Sequence, residues 1–229
     1  MIRGEQMLQR ILFFLLSATL CFCYAQEKNE LESGSDFNDY VISMLESYPT
    51  DGTHQYYWPS SGTWAGVTRD LYYRGALFTQ GDTFKRCYCC GITFEVFFRA
   101  YEKYCKDQGK DFIIKDFDSK KLNTFLRQWF GSDGNRKTLL NAVLSNNLGY
   151  SVAMDKAKKG DFVQLWRYSG SGHSVIFISW VYDASGKLYG MKYWSTQGST
   201  NGIGYRTEYF SGNSGVDTTQ LYIARVVPK

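Results

Sequence analysis

The sequence predicts an α+β domain in which N-terminal helices pack on an antiparallel β-sheet. Two observations carry this expectation. Up to Gly149 the apolar residues recur at helical spacing, and from Gly160 onward they gather into short stretches rich in β-branched and aromatic residues. Those stretches are separated by the turns "SGSG", "ASG" and "SGNSG". Helices first and strands second describe an α+β chain whose sheet is largely antiparallel.

Arg3 and Arg10 precede an apolar run from Ile11 to Leu20, and small residues lead to Ala25. This is the pattern of an export signal, residues 1–25, cut after Ala25. The run falls short of the ~20 residues a spanning helix needs, so no stable membrane insertion is expected after its removal. Leu20 and Phe22 are too bulky for a lipoprotein signal at Cys21 or Cys23. Residues 26–35 are polar and read as a flexible lead-in, leaving residues 36–229 as one α+β domain.

In "SDFNDYVISMLESYP", Phe37, Tyr40, Val41, Met44 and Leu45 share a face, with Ser35 or Asp36 as cap and Pro49 as stop. The segment "TDGTHQYYWPSSGTWAG" is turn chemistry and reads as a loop. After Cys90, Ile92, Phe94, Val96, Phe97, Ala100, Tyr101 and Tyr104 describe a nearly buried helix, with Glu95, Arg99, Glu102 and Lys103 arguing against a strand. "DSKKLNTFLRQWF" and "NRKTLLNAVLSNNLG" predict two further helices, the second stopped by Gly149. "DFVQLWRY", "HSVIFISWVYD", "KLYGMKYWST", "YRTEYF" and "QLYIARVV" predict strands.

Removing residues 1–25 takes away two Arg and one Glu and lowers the formal charge from +4 to +3, too weak a balance to argue for nucleic acid. The remaining 204 residues fit a single domain with a sizeable core, expected as a monomer. The 18 Tyr, 16 Phe and 6 Trp suit a carbohydrate- or peptide-facing groove, and equally a β-rich core.

"KRCYCCGITFEVFFRAY" holds Cys87, Cys89 and Cys90, and Cys105 is the fourth cysteine of the exported part. Disulfides are the default in an oxidising compartment. Along a helix, however, Cys105 lies roughly 22 Å from Cys90, where a bridge needs Cα atoms within about 7 Å. Only Cys87 with Cys89 or Cys90 is left to pair locally. A zinc site lacks its second half, and no cofactor is called for. The third reading is a nucleophile at a helix start, where unpaired N–H groups and the positive dipole end favour thiolate. Its base must be one of two histidines. His54 sits in a polar loop and reads as a solvated surface residue, whereas His173 opens the apolar strand "SVIFISWV".

"CCGITFEVF" resembles the "D-C-S-G-F-x-x-x-x-F" helix start of the NlpC-type cell-wall peptidases, and "KKGDFVQLWRYSGSGHSVIFISW" resembles their "pGDLvfF…gHVGIYi" segment. The order Cys, "GD", His is also that of the CHAP amidases. The resemblance covers about 60 residues and implies a papain-like fold. It puts Cys89 on the nucleophile, Cys90 on the family serine, Gly91 on its glycine and His173 on the base, with Cys90 as alternative nucleophile. "TRDLYYRGA" places Tyr72 on an active-site tyrosine, and Tyr88 stands where aspartate is usual. The third catalytic position falls on Ser195 to Gln197, opposite His173 if "DASG" is the hairpin turn; Gln197 is preferred and Ser195 is the alternative. Trp58, Trp64 and Trp194 are candidate groove walls.

The implied activity is that of an exported, periplasmic or extracellular cysteine peptidase or amidase. It cleaves a peptide or amide bond of peptidoglycan through a thioester, with backbone N–H groups near Cys89 and Tyr72 at the oxyanion. The alternatives are a cysteine amidase or transferase acting on another amide, and an inactive wall-binding module.

Overall fold

A computed structural model describes residues 36–62, 64–131 and 135–229. The expectations for the export signal and the lead-in, residues 1–35, lie outside these residues. Helix α1 (Phe37–Glu46) buries Phe37, Tyr40, Val41 and Leu45, the face its spacing predicts. Helix α2 (Cys89–Asp107) is buried almost all round, because other elements pack against it on several sides. Phe37 of α1 meets Phe97 and Tyr101 at ring distances of 6.5 and 5.8 Å. From α3 (Ser119–Phe130), Trp129 packs 5.2 Å from Phe97 and 5.0 Å from Phe162 of the sheet. A core built from such edge-to-face aromatic pairs explains much of the Phe and Trp content.

Helix α3 begins where Asp118 accepts a hydrogen bond from the Lys121 N–H and ends on Gly131 at φ 74°. Helix α4 (Thr138–Ser145) ends earlier than the sequence suggested, at Asn146 and a left-handed Asn147 (φ 51°). Gly149 is therefore not its stop. It opens strand β3, where a Cβ would collide with the carbonyl of Arg225 on the paired strand.

A hairpin that the sequence left inside a connection, β1 (Leu71–Tyr73) with β2 (Ala76–Thr79), precedes α2. The remaining strands are β3 (Gly149–Val152), β4 (Phe162–Arg167), β5 (Gly172–Tyr182), β6 (Leu188–Gln197), β7 (Gly202–Tyr209) and β8 (Val216–Val226). They form one antiparallel sheet in the order β3-β8-β4-β5-β6-β7. Phe162, Ile176, Trp194 and Ala224 join the helical core, while Val163, Val175, Phe177 and Tyr193 form a smaller core on the opposite face. This is the period-two alternation of an antiparallel sheet covered on both sides. Residues 37–229 pack as one unit. Among the described residues no helix is long and apolar enough to cross a membrane.

One interior ion pair ties distant segments together. Asp161, fully buried just before β4, accepts two hydrogen bonds of 2.7 Å from Arg225 of β8, one from Asn38 of α1 at 2.9 Å and one from the Lys158 N–H at 2.8 Å. Removing one partner of such a pair strands the other charge in low dielectric. Asp161→Ala is expected to destabilise the protein by roughly 3–5 kcal/mol in urea unfolding, whereas Lys121→Ala, which breaks an exposed pair with Asp116, costs under about 1 kcal/mol. Equal midpoints for the two variants would refute this account of the interior.

Candidate active site

The first turn of α2 is fixed from three directions. Tyr88, extended at φ −127° and ψ 166°, precedes it and gives no side-chain cap. Its ring lies between Trp58 (4.7 Å), Trp64 (5.3 Å) and Phe130 (5.8 Å), and its hydroxyl donates to the Trp64 carbonyl at 2.7 Å. Gly91 presses on the loop backbone, where a Cβ would collide with the carbonyl oxygens of Ala65 and Gly66. Thr93 Oγ1 lies 2.9 Å from Ser174 Oγ, bridging α2 to β5.

These contacts bring Cys89 to His173. The Cys89 thiol is held well below the ordinary thiol range: the Cys90 S–H donates to it, outweighing the opposing effect of burial, and His173 and the Ser174 N–H add charge and hydrogen bonds. The Cys90 thiol is pushed well above that range, because it donates to Cys89 and is buried. His173 acts on Cys89, whereas the groups that move Cys90 are Cys89 itself, burial and the N–H groups of Cys90 and Gly91. Burial pushes Cys87 up to about 12 and also raises Cys105. Cys87, Cys89, Cys90 and Cys105 are free thiols, so the local bridge weighed from the sequence is not formed.

His173 is 6% exposed, with its ring 5.7 Å from that of Tyr193. Its Nε2 is buried and meets no partner among the described residues, and the same holds for Nε2 of Gln197. The pairing of β5 with β6 ends at Ile176 and Trp194; His173 and Gln197 lie three residues beyond it on each strand, and both line one hollow. Behind them Tyr193 Oη lies 3.0 Å from Gln197 Oε1 and 2.9 Å from Glu208 Oε1. Glu208 accepts two hydrogen bonds from Arg167, at 2.9 and 2.7 Å, and Arg206 Nε approaches at 3.2 Å. Burial opposes the charge of Glu208, but Arg167, Tyr193 and Arg206 together hold its carboxyl below the usual range.

Two hollows meet at His173. The first, about 460 Å3, has Tyr56, Trp58, Phe130 and Trp166 on its walls and both Cys89 and Cys90 among its lining residues. The second, about 350 Å3, is lined by Tyr56, Arg167, Gln197, Arg206 and Glu208. Tyr56, Gly172 and His173 belong to both. Gly172 leaves room for the first wall, since a Cβ there would come within 2.9 Å of the Trp166 ring.

No protein-family model, curated protein or solved structure matches this chain.

Several sequence candidates sit elsewhere. Tyr72 is 56% exposed on β1 and lines a separate hollow with Arg74 and Phe112, because the hairpin carries it away from the start of α2. Trp194 is fully buried against Tyr48 and is a core residue, not a groove wall. Ser195, also fully buried, donates its hydroxyl to the Ser174 carbonyl at 2.7 Å and so faces a strand rather than the imidazole. His54 is not solvated: it is buried against Tyr48, with Nδ1 2.8 Å from the Lys85 carbonyl. Of the three tryptophans, Trp58 reaches the first hollow, and Trp64 packs on Tyr88 and Tyr57.

Tyr56 was not singled out from the sequence. It arrives because its loop runs beside Cys87, with the Cys87 N–H donating to the Gln55 carbonyl and the Tyr57 N–H to the Cys87 carbonyl. The run "QYYWP" in a polar loop was the available signal.

A thiolate, a neighbouring imidazole and the first N–H groups of a helix are the parts that acyl transfer needs. The lowered thiol is ionised above its own pKa and loses its charge as pH falls through that value, well to the acid side of an ordinary thiol. Iodoacetamide at about pH 6 is expected to modify one cysteine rapidly, where a thiol of ordinary pKa, about 8.5, is almost wholly protonated. Cys89→Ala should remove that fast phase, and His173→Ala should move its pH profile upward. Fast modification surviving in Cys89→Ala would show another thiol to be the reactive one.

Proposed function

We propose that the protein is an exported cysteine hydrolase of papain-like, NlpC type that cleaves peptide or amide bonds, with peptidoglycan as its substrate. The observation that carries this reading is the pairing of Cys89, at the N-terminus of α2, with His173 at the mouth of β5, on the wall of an open groove. The predicted export signal and the resemblance to cell-wall peptidases support the choice of substrate.

In this reading the Cys89 thiolate attacks the amide carbonyl. The oxygen that gains charge is met by N–H groups at the start of α2, where no side-chain cap competes for them. His173 gives its proton to the departing amine as the C–N bond breaks, leaving a thioester on Cys89. It then takes a proton from the water that hydrolyses that thioester.

Gln197 is the residue that orients His173. Tyr193 has one phenolic proton facing two acceptors, Glu208 Oε1 and Gln197 Oε1. The ionised carboxylate has nothing to donate, so the carboxamide resolves the conflict by turning end for end. Its nitrogen then donates to Tyr193 Oη. Its carbonyl oxygen takes the buried position on the side of the second hollow, available to Nε2–H of His173. The third group is thus set by Glu208 through Tyr193, which acts as a positioning residue.

Hydrolysis of purified peptidoglycan, followed as newly released amino groups, tests the proposal. Cys89→Ala and His173→Ala are each expected to lower the rate about a thousandfold or more, and Cys90→Ala far less. Full activity in both Cys89→Ala and His173→Ala would sink the hydrolase reading. Tyr193→Phe removes one hydrogen bond from the chain behind His173, so kcat should fall by up to roughly tenfold with KM little changed. A loss confined to KM would place Tyr193 in substrate binding instead.

A further inference from the structure

We infer that the groove selects amides whose leaving amine carries a negative charge, and that Arg206 is the residue that reads it. The inference rests on the hydrolase reading above and adds the chemistry of the substrate on one side of the scissile bond.

The polarity of the groove follows from which residues line each half. Cys89 lines the first hollow and not the second, so the acyl group bonded to its sulfur stays among Tyr56, Trp58, Phe130 and Trp166. His173 lines both. As the C–S bond forms and the C–N bond breaks, the His173 nitrogen that faces Cys89 gives its proton to the amine nitrogen, and the amine leaves past the rim that the two hollows share at Tyr56 and Gly172, into the second.

That second half carries excess positive charge. Among the described residues Arg167 and Arg206 share a single carboxylate, Glu208, which is 6% exposed. Arg167 takes both carboxylate oxygens with paired hydrogen bonds and is itself largely buried. Arg206 meets the same carboxylate side-on through Nε at 3.2 Å, leans on Ser199 through Nη1, and keeps 38% of its side chain exposed. Two guanidinium charges against one carboxylate leave one positive charge uncompensated, on the more exposed of the two side chains. A planar guanidinium at the wall of a groove suits a carboxylate, because its donors match the two oxygens. The favoured leaving groups are therefore an amino acid with a free carboxylate next to the scissile bond, or an acidic residue at that position.

The test is a set of peptides with one aromatic acyl side and four leaving groups: glycine as free acid, glycinamide, aspartic acid α-amide and lysinamide. The expected order of kcat/KM places the two acidic leaving groups roughly five- to tenfold above glycinamide, with lysinamide lowest. The preference should shrink as salt rises from about 0.01 M to about 0.5 M. Arg206→Gln is expected to bring glycine and glycinamide to equal kcat/KM, and Arg206→Lys to keep part of the difference, which separates loss of charge from loss of fold. Equal cleavage of all four by the wild type, abolished in Cys89→Ala, would overturn this inference and leave the hydrolase reading standing. A preference that persists in Arg206→Gln would overturn it as well. Failure of the wild type to cleave any of the four, or peptidoglycan, would remove both.

Discussion

One buried contact, Thr93 Oγ1 against Ser174 Oγ at 2.9 Å, fixes where helix meets sheet, and the site depends on it. Thr93 lies one turn beyond Cys89, and Ser174 follows His173. Proton accounting gives the contact a direction. The single Thr93 proton goes to the carbonyls of Cys89 and Cys90, at 3.0 and 3.2 Å, so Oγ1 is left to accept from Ser174 and from Trp129 Nε1 at 3.2 Å. The Ser174 carbonyl is taken in turn by the Ser195 hydroxyl. Thr93 and Ser174 are buried, and each group in such a chain needs its partner, so a slide of α2 along the sheet is costly. Cys89 and His173 therefore meet without any bond between them having to hold the two elements together.

The loop that closes over α2 is held by a second buried polar centre. Glu95, with no exposed surface, accepts from Tyr48 Oη at 2.6 Å and from the Thr68 N–H and hydroxyl at 2.6 and 2.8 Å, with Arg69 Nε at 3.2 Å. A carboxylate with this many donors is stable inside, and it anchors the segment whose Ala65 and Gly66 carbonyls bear on Gly91. Helix, loop and sheet are thus joined near the thiol by hydrogen bonds of fixed direction, while the aromatic core further along α2 supplies bulk and little direction.

Much of this was legible in the sequence, because periodicity and turn chemistry are local. Four helices were found, α1 with its buried face and α4 with a misplaced end, and five strands of the sheet with its antiparallel sense. What was not legible depends on contacts between distant residues. Glu95 helped to identify a helix by its charge, yet it is buried, because its partners come from Tyr48 and Thr68. His54 looked solvated for want of any local apolar pattern, and its burial is made by Tyr48 and the Lys85 carbonyl. Tyr72 was matched by a short string, and the β1–β2 hairpin that displaces it has only three and four residues per strand, too few to show alternation. Cys89 and Cys90 are adjacent in the chain, and the difference between them lies in three-dimensional partners, with His173 acting on Cys89. The link from Gln197 to Glu208 joins neighbouring strands through Tyr193, and no single stretch of sequence contains it.

The start of α2 has Tyr88 where a serine, threonine or aspartate would add about 1 kcal/mol to helix stability. A capping oxygen there would be the first competitor for the N–H groups that the proposed reaction uses, and a carboxylate would also set a negative charge beside the thiol. The aromatic ring does neither. It seals the helix end by packing alone, through three ring neighbours and a hydroxyl that points to Trp64. The protein gives up some helix stability at its most sensitive turn and so keeps that turn's electrostatic potential free for a guest. At this residue a stronger cap and open N–H groups exclude one another, and the side chain found there leaves the N–H groups open.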